Sequence, residues 1–395
     1  MTNVVYILNS TYSLGGASKS FLSLISGLKR KGVCPLVVVP DKEGIYADLL
    51  RMGVEVIVAL YRPNTYPRFA TVKDKLLFLP RLWARRWLNR RAVSRLFALL
   101  SVRGHVHLVH TNVSVVDIGF RLARRLRVPH VYHIREYGDL DFHEFYFPSW
   151  KLFHKRLRVP LSYVICITEG ILRHHLLQGY SAARVIYNGI ETGTVPGAGD
   201  SFEDRKFFLY AGRIEPAKGL DLLLEAYAAY VEKSASGTPL WVAGDAGDDS
   251  YSRCLNEYVR SRGLGGHVRF LGPRRDVDVL MRKALAIVIP SRFEAFGRCM
   301  PEAMSNGCLV IGRDTGGTKE QFDNGLRLTG AEIGFRFTTV AELAEALGRA
   351  ESLSEHERTD IVERACRTVR TLYSTDAYVD GVYQFYRDIL NENMD

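Results

Sequence analysis

At 395 residues the chain exceeds one ordinary hydrophobic core, and this length predicts about two domains. Its apolar fraction of 47% and charged fraction of 24% are those of a soluble globular protein. Residues 1–190 carry 28 Lys and Arg against 11 Asp and Glu, about +17, whereas residues 191–395 carry 25 against 32, about −7. This asymmetry predicts an anionic partner for the first part: membrane lipid, a lipid-linked phosphate or nucleic acid.

Several protein classes are excluded by what the sequence lacks. No apolar run reaches the roughly 18 residues that a membrane-spanning helix needs. The N-terminus has no basic start and predicts a buried strand rather than a signal peptide. The six cysteines are scattered without CxxC or Cys/His spacing, so they predict reduced thiols. We therefore expect a cytoplasmic protein with no disulfide and no metal site.

Apolar runs of strand length alternate with helical patterns through the first half of the chain. Strands are predicted at Val4–Asn9, Leu36–Val39, Val54–Leu60, Val106–His110, His130–Ile134 and Tyr163–Thr168. The segment Ser18–Lys31 between the first two has apolar residues on one side and predicts a helix. Continuously apolar strands that alternate with helices predict a parallel sheet covered on both faces.

The same pattern restarts near Lys206. Strands are predicted at Phe207–Ala211, Leu240–Ala243, Val268–Leu271, Ala286–Ile289 and Leu309–Ile311. We therefore predict the α/β class with two doubly wound, Rossmann-like domains: 1–190, a linker at 191–205, and 206–376. Ligands of such domains bind at the carboxyl ends of the strands, so we expect a site in the cleft between them.

The segment Pro290–Phe322 contains the strongest candidate site. Glu294 follows a predicted strand, and Glu302 lies eight positions later in the first turn of a predicted helix, Met300–Asn306. The turn between them contains Phe296, Gly297 and Arg298 and leads into that helix, where unpaired N–H groups suit a phosphate. One short segment thus offers an anion cradle and two carboxylates that can accept bonds from hydroxyls.

Two glycine turns follow other predicted strands of the second domain. After Phe207–Ala211 the chain continues with Gly212, Arg213 and, in front of a predicted helix at Leu220–Val231, Lys218. Two cations at the end of a strand can neutralise a diphosphate leaving group. Gly244 follows Leu240–Ala243, and a glycine there allows the backbone to approach a base or ribose. Each turn could also be an ordinary solvated loop.

Together these motifs resemble the donor site of retaining GT-B glycosyltransferases of family four, which carry E-x7-E around a Phe-Gly pair. The resemblance implies two facing domains, with the last helix, 377–395, packing back on the first. It implies that Glu302 holds the ribose diol, that Glu294 holds sugar hydroxyls, and that Arg213 and Lys218 stabilise the departing diphosphate. Because these cations would do that work, no cofactor and no metal ion is expected.

The resemblance is looser in the first domain. Gly15 and Gly16 resemble the family's N-terminal Gly-Gly, which approaches phosphate and sugar. His133 stands where family members carry a His near the transferred sugar, although a His at a strand end is more often structural. The family's usual Asp after this His is missing. The departure leaves the roles of two acceptor-side candidates, Arg135 and Glu136, open. His110 and Asn112, at the end of the preceding predicted strand, could also line the cleft on the acceptor side.

A basic segment, Arg81–Arg95, contains six arginines and no acidic residue, interleaved with Trp83 and Trp87. Its arginines and apolar residues do not separate into two faces at 100° per residue, as an interfacial helix requires. Two readings stay open: docking on an anionic membrane surface, which would make the protein peripheral at the inner face, and a solvated or partner-facing helix.

We therefore predict a retaining, metal-independent glycosyltransferase. Its expected partners are a nucleoside-diphosphate-sugar donor and a glycan or lipid-linked acceptor of cell-surface polysaccharide or lipopolysaccharide synthesis, and no nucleic acid. Two alternatives differ in kind. A nucleotide-sugar epimerase on the same fold would convert donor without acceptor. A non-catalytic protein that binds anionic lipid or nucleic acid would be indifferent to Glu294→Ala, and its binding would weaken steeply with salt.

Overall fold

The computed structural model describes residues 2–11, 16–67, 72–140, 144–146, 149–191, 205–234, 237–245 and 249–393. The chain divides into two compact units. Unit 1 comprises Met1–Gly189 and Thr375–Asp395, and unit 2 comprises Ile190–Ser374. The two ends of the chain therefore belong to the same unit.

Unit 1 contains a seven-stranded parallel sheet and a separate antiparallel ribbon. Its strands are β1 (Thr2–Ile7), β2 (Val33–Val39), β3 (Glu55–Val58), β4 (Thr65–Pro67), β5 (Leu108–Thr111), β6 (His130–Ile134), β7 (Glu144–Tyr146), β8 (Ser162–Cys166) and β9 (Ala183–Val185). The sheet has the order β3-β2-β1-β5-β6-β8-β9, and β4 pairs with β7 to form the ribbon. Because the sheet grows outward from β1 in both directions, it is doubly wound, and its order reverses between β1 and β5.

Helices cover both faces of this sheet. They are α1 (Gly16–Arg30), α2 (Tyr46–Arg51), α3 (Val72–Ser101), α4 (Ile118–Leu126), α5 (Trp150–Leu157), α6 (Glu169–His174) and α14 (Thr375–Glu392). One apolar cluster joins α1 and α14 to the sheet, and another joins α3 and α4 to it. The fit of α14 is close, because a side chain at Gly27 of α1 would overlap Val379.

Unit 2 contains a six-stranded, wholly parallel sheet. Its strands are β10 (Phe208–Ala211), β11 (Leu240–Ala243), β12 (Val268–Gly272), β13 (Ala286–Ile289), β14 (Val310–Arg313) and β15 (Phe335–Phe337). The order is β12-β11-β10-β13-β14-β15, so the direction of growth reverses between β10 and β13. In sheets of this kind, ligands bind at the carboxyl ends of the strands beside that reversal.

The helices of unit 2 are α7 (Leu220–Val231), α8 (Asp249–Ser261), α9 (Val277–Lys283), α10 (Cys299–Ser305), α11 (Gly316–Thr329), α12 (Val340–Ser352) and α13 (Glu355–Thr368). Short 3-10 helices occupy Pro216–Lys218 and Leu264–Gly266, and a π-helical turn occupies Val369–Tyr373. One continuous apolar core joins the strands to α7 and α12. Thr339 and Ser354 cap α12 and α13 with reciprocal side-chain bonds to the glutamates three residues on.

The predicted α/β class with two doubly wound parallel sheets is confirmed. Strands β6, β11 and β13 and helix α7 have the predicted bounds, and most other predicted strands differ by one to three residues. The short strands β4, β7, β9 and β15 were not predicted, and the last helix begins at Thr375 rather than at 377. Of the predicted linker 191–205, residues 192–204 lie outside the described residues.

The basic segment Arg81–Arg95 lies within helix α3, which has 30 residues and contains Pro80. Within the described ranges, no helix is both long enough and apolar enough to cross a bilayer.

Candidate active site

The first part of the candidate site lies where two loops of unit 2 meet. One loop follows β10 and the other follows β13, the two strands between which the sheet reverses. Lys218 Nζ lies 2.6 Å from Glu294 Oε1, and the Ser291 hydroxyl donates to the same oxygen at 2.8 Å. Both members of the pair are largely shielded, with 22% and 18% of their side chains exposed. The structure thus brings a predicted cation and a predicted carboxylate into direct contact.

The approach of these loops depends on glycine. Gly219 has φ +67° and separates the Pro216–Lys218 turn from α7. A Cβ there would strike the backbone carbonyl of Pro290, so only glycine allows the contact. The Arg292 N–H also donates to the Ala217 carbonyl at 2.9 Å and ties the loops together.

An ion pair braces the same junction from outside. The Arg292 guanidinium donates to both carboxylate oxygens of Asp221, at 3.0 and 2.7 Å, and to the Pro216 carbonyl at 3.1 Å. Although burial opposes the shift, hydrogen bonds from Arg292 and Tyr251 lower the pKa of Asp221. This bidentate pair holds the start of α7, and therefore Lys218 in front of it, against the loop that carries Glu294.

The second part of the site is the turn from Glu294 to α10. Gly297 has φ +76°, and the side chain of Gln321 on α11 donates to the carbonyls of Phe296 and Gly297. The Gly317 N–H donates to the Glu294 carbonyl at 2.8 Å, and a side chain at Gly317 would overlap the backbone of Phe296. The first turn of α11 therefore fixes the path of the predicted anion-binding turn.

Glu302 on α10 pairs with the residue four positions before it. Arg298 donates from Nε at 3.1 Å and from Nη2 at 3.0 Å, both to Oε1 of Glu302. Among the described residues, no group donates to Oε2 of Glu302 or to Oε2 of Glu294. Both glutamates therefore have one oxygen held by a cation and a second oxygen that can accept a bond from a hydroxyl.

Arg213 lies apart from these pairs. Its guanidinium is bonded to Glu215 at 3.0 Å, and 69% of its side chain is exposed. Its carbonyl accepts a bond from the Tyr210 hydroxyl at 2.7 Å. The backbone of Arg213 is thus fixed at the end of β10 while its long side chain remains in solvent.

The predicted glycine turns lie side by side at the same edge of the unit 2 sheet. Gly212 N–H donates to the Ala243 carbonyl at 3.0 Å, and Gly244 N–H donates to the Gly272 carbonyl at 3.0 Å. A Cβ at Gly244 would fall on the Gly212 carbonyl oxygen. The absence of a side chain at Gly244 therefore allows the loops after β10 and β11 to approach each other closely, and Gly212 lies where they touch.

One of the predicted reduced thiols lies beside these loops and is partly buried. Cys299, the first residue of α10, donates from Sγ to the Ala211 carbonyl at 3.4 Å. Burial, together with the nearby Glu302 and Glu294, raises the pKa of this thiol. Its protonated form is therefore a packing group rather than a nucleophile. All six cysteines are free.

In unit 1, His133 and His110 lie at the ends of adjacent strands and contact each other. His110 Nε2 lies 3.2 Å from His133 Nδ1, and His110 Nδ1 lies 2.5 Å from the Tyr386 hydroxyl on α14. Burial and the nearby charge of Arg135 lower the pKa of both imidazoles well below the usual range. Both rings are therefore neutral at pH 7.

Arg135 lies in the interior of unit 1. Its guanidinium donates to Asn112 Oδ1 at 3.0 Å, to Asn188 Oδ1 at 2.5 Å and to the Tyr378 hydroxyl at 2.7 Å. Asn112, another predicted acceptor-side residue, thus serves as a partner of this buried cation. These bonds tie the ends of β5 and β6, the turn before residue 190 and α14 together.

The carboxylate of Glu136 is also buried. Its Oε1 accepts bonds from the backbone N–H of Ser114 at 2.7 Å and from the Ser114 hydroxyl, which also contacts the Tyr146 hydroxyl. Its Oε2 accepts a bond from the Arg135 N–H at 3.2 Å.

Of the two predicted N-terminal glycines, Gly16 is the first residue of α1, and Gly15 lies outside the described residues.

Sequence reasoning missed several residues that these contacts use. Their partners lie far away along the chain: Tyr386 is 276 positions from His110, and Tyr378 is 243 positions from Arg135. A pattern read over a short window contains no such signal. Ser291 had a signal, because it directly follows Pro290 at the end of a predicted strand, two residues before the Phe-Glu of the motif.

Two family models match consecutive segments of the chain. The model described as Glycosyltransferase Family 4 matches residues 14–194, and the model described as Glycosyl transferases group 1 matches residues 195–367. The chain belongs to the family 4 glycosyltransferases. The recognition made from the donor-site motifs is confirmed.

Curated relatives of this family 4 member match it over part of their length. A D-inositol 3-phosphate glycosyltransferase of Jonesia denitrificans is 36% identical over 114 residues, which are 28% of this chain and 27% of the relative. An uncharacterized glycosyltransferase of Methanocaldococcus jannaschii is 26% identical over 219 residues, 54% of this chain and 58% of the relative. The matches thus span less than two thirds of these relatives.

Among solved structures, the Anabaena protein HepE in complex with UDP superposes with a TM-score of 0.77. The identity is 20%, and the match covers 98% of this chain and 100% of the other. The same protein is known in complex with UDP-glucose. At this identity the likeness shows the GT-B fold.

Proposed function

We propose that this protein transfers a sugar from a nucleoside-diphosphate-sugar to an acceptor hydroxyl with retention of the anomeric configuration. The observation that carries the proposal is the shared geometry of Glu294 and Glu302. Each carboxylate is held through Oε1 by a neighbouring cation, and each has Oε2 available to a hydroxyl. A nucleoside-diphosphate-sugar presents hydroxyls on two sides of a diphosphate, which matches two carboxylates with cations between them.

The roles follow from the chemistry of each group. Glu302 would accept bonds from the ribose diol, and Glu294 would accept bonds from hydroxyls of the transferred sugar. Lys218 would stabilise the negative charge that develops on the departing diphosphate, together with Arg213, whose exposed side chain can swing toward it. Fixed positive groups at a developing charge are worth about 10²–10³ in rate.

No carboxylate nucleophile is assigned in unit 1. Glu136, the carboxylate among the predicted acceptor-side residues, is buried and already accepts bonds from Ser114 and from the Arg135 N–H. We therefore favour a front-face reaction, in which the leaving phosphate takes the proton of the acceptor hydroxyl, without a metal ion. Trapping of a covalent glycosyl-enzyme would contradict this route.

Uridine is the base to test first, because the fold neighbour HepE binds UDP and UDP-glucose. We would measure thermal stabilisation by UDP, GDP, ADP and UDP-glucose, with and without EDTA. The proteins would be the wild type, Glu302→Ala and a control, Glu345→Ala, which changes an exposed glutamate of α12. We expect one nucleotide to raise the melting temperature of the wild type and of the control but not of Glu302→Ala.

The other outcomes discriminate among functions. No shift with any nucleotide would contradict the donor site and favour a binding protein. A shift that disappears with EDTA would contradict metal independence. Conversion of the donor sugar to its epimer without acceptor would indicate the epimerase.

For the acceptor we propose a lipid-linked or cell-surface glycan intermediate, reached by docking on an anionic membrane. The observation behind it is a second apolar face on α3. One face packs into unit 1 through Leu82, Val93, Leu96 and Leu100. A second, neighbouring face exposes four large apolar side chains: Leu76 (74%), Leu79 (60%), Trp83 (70%) and Trp87 (57%).

The spacing of these four residues, three, four and four positions, places them on one side of the helix. Exposed basic residues flank them, and the Arg91 guanidinium lies 4.5 Å from the centre of the Trp87 ring. Two apolar faces with arginines at their borders also explain why the sequence pattern did not divide into one polar and one apolar side. Tryptophan and arginine together suit the headgroup region of an anionic bilayer.

We would test docking by sedimentation with vesicles of phosphatidylcholine, with and without phosphatidylglycerol. We expect binding only to the anionic vesicles, reduced at least about tenfold in Trp83→Ser/Trp87→Ser. The control Val102→Ser changes a residue that is 83% exposed just beyond α3 and away from the stripe, and it should bind as the wild type does. Equal binding by all three proteins would contradict docking through this face and favour a partner-facing helix.

A further inference from the structure

A continuous series of buried hydrogen bonds joins four elements of unit 1. Tyr6 lies on β1, His110 on β5, His133 on β6 and Tyr386 on the terminal helix α14. The Tyr386 hydroxyl donates to the Tyr6 hydroxyl at 3.2 Å and lies 2.5 Å from His110 Nδ1. His110 Nε2 lies 3.2 Å from His133 Nδ1. All four side chains are at most 1% exposed.

This series of hydrogen bonds ends at a nitrogen atom without a partner. His133 Nε2 is buried, and no group among the described residues bonds to it. The groups around the two imidazoles are Tyr6 on β1, His130 on β6, Arg135 just beyond β6, and Tyr378 and Tyr386 on α14. None of these is a carboxylate, so no anion among the described residues stabilises a charged imidazole here.

Counting the protons along this series of hydrogen bonds fixes the tautomer of both imidazole rings. The Tyr386 hydroxyl has one proton and donates it to Tyr6, so its oxygen accepts from a proton on His110 Nδ1. A neutral His110 then has a lone pair on Nε2, which accepts from a proton on His133 Nδ1. His133 Nε2 is therefore the unprotonated nitrogen.

The lack of a partner at His133 Nε2 agrees with this assignment. A buried N–H without an acceptor is rarer in proteins than a buried acceptor without a donor. If every hydrogen bond in this series ran in the opposite direction, His133 Nε2 would carry a buried proton without an acceptor. The unprotonated state leaves an acceptor that a sugar hydroxyl can satisfy.

We propose that Tyr386 and His110 are positioning residues that hold His133 in its Nδ1–H tautomer, so that Nε2 accepts a hydrogen bond from a substrate hydroxyl. The identity of that substrate rests on the proposed glycosyl transfer, whereas the tautomer does not. The terminal helix thereby contributes to the site through a side chain 276 residues away from its partner. Truncation of α14 should impair sugar binding for this reason as well as through lost packing.

The direct test is the protonation state of His133, read from long-range ¹H–¹⁵N spectra of ¹⁵N-histidine-labelled full-length protein. The signals of His133 are assigned by their loss in His133→Asn. In the wild type at pH 7.5 we expect a single tautomer with the proton on Nδ1. In Tyr386→Phe, which keeps the ring and removes the hydroxyl, we expect a mixture of the two tautomers.

The wild-type spectrum alone can overturn the proposal. A proton on Nε2, or two tautomers in exchange, would contradict the assigned direction of the chain. An unchanged His133 spectrum in Tyr386→Phe would contradict the role of Tyr386. Because these spectra need no substrate, they remain decisive even if every donor fails in the transfer assay.

Kinetics give a second measurement once a donor is known. We expect Tyr386→Phe to lower kcat about three- to tenfold, the equivalent of one net hydrogen bond, with a smaller change in KM for the donor. The control is Tyr227→Phe in unit 2, which removes the bond from a buried tyrosine hydroxyl to the Thr238 carbonyl at 2.8 Å. The control should lose similar thermal stability without losing kcat, and equal kcat losses in both variants would contradict the positioning role.

Discussion

The two units share one architecture but treat their polar groups differently. Unit 1 buries charged and titratable side chains inside its sheet and under α14, as in the bonds from Arg135 to Asn112, Asn188 and Tyr378. Unit 2 places its cations and carboxylates in partly shielded pairs on strand-end loops and at the start of α10, as in Lys218 with Glu294 and Arg298 with Glu302.

This difference indicates a division of labour. Buried networks lose much free energy when one partner is removed, so they fix geometry. Isolated ion pairs near the surface contribute less to stability and can exchange partners when a ligand arrives. Unit 1 therefore has the properties of a rigid frame around His133, and unit 2 has the properties of an adaptable binding site. Each prediction below tests one side of this contrast.

The largest expected effect is the loss of stability of unit 1 in acid. Burial lowers the pKa of His130 and of His175 to about 3, and that of His110 and His133 well below 6.5. The unfolded chain binds more protons than the folded one between these pKa values and about 6.5. The stability is complete above pH 6.5 and falls as the pH drops toward 3, by on the order of 1 kcal/mol per histidine at pH 5.5.

Unit 2 provides the internal control, because none of its described histidines is buried. We would follow urea unfolding at pH 7.5 and 5.5 by tryptophan fluorescence. Trp241→Phe leaves reporters in unit 1 only, and a variant with Trp241 as its single tryptophan reports on unit 2. Equal acid losses in both units would contradict the contrast.

The next effect concerns the buried guanidinium. Arg135→Leu removes the donor to the buried side-chain oxygens of Asn112 and Asn188, and each unsatisfied group costs about 1–3 kcal/mol. We expect a loss of about 3 kcal/mol or more in the free energy of unfolding. Arg298→Leu in unit 2 removes an i,i+4 pair and should cost less than about 1 kcal/mol. Similar losses in the two variants would show that both arginines have the same structural role.

The third effect is on rate rather than stability. Lys218→Ala should lower kcat about 100-fold or more, because a fixed cation at the developing diphosphate charge is lost. The melting temperature should change little. The control Lys319→Ala removes an exposed pair with Asp323 on α11 and should leave kcat unchanged. A kcat that survives in Lys218→Ala would remove this lysine from the proposed mechanism.

Much of the architecture could be predicted from short stretches of sequence. Strands such as Val4–Ile7 and Ala286–Ile289 are apolar throughout and lie in parallel sheets buried on both faces, so composition alone marks them. The edge strands β9 and β15 have only three residues each, too few for a pattern to identify. The basic segment was ambiguous because α3 has two apolar faces, and only burial distinguishes them.

The sequence by itself determined the class, the two sheets and the family, because these depend on local patterns and on a motif contained in one segment, Pro290–Phe322. It also marked Lys218, Glu294 and Glu302. Tertiary structure decided which groups meet. Lys218 reaches Glu294 across 76 positions, and His110 reaches Tyr386 across 276. Such pairings follow from the order of strands and the packing of α14, which no short window of sequence contains.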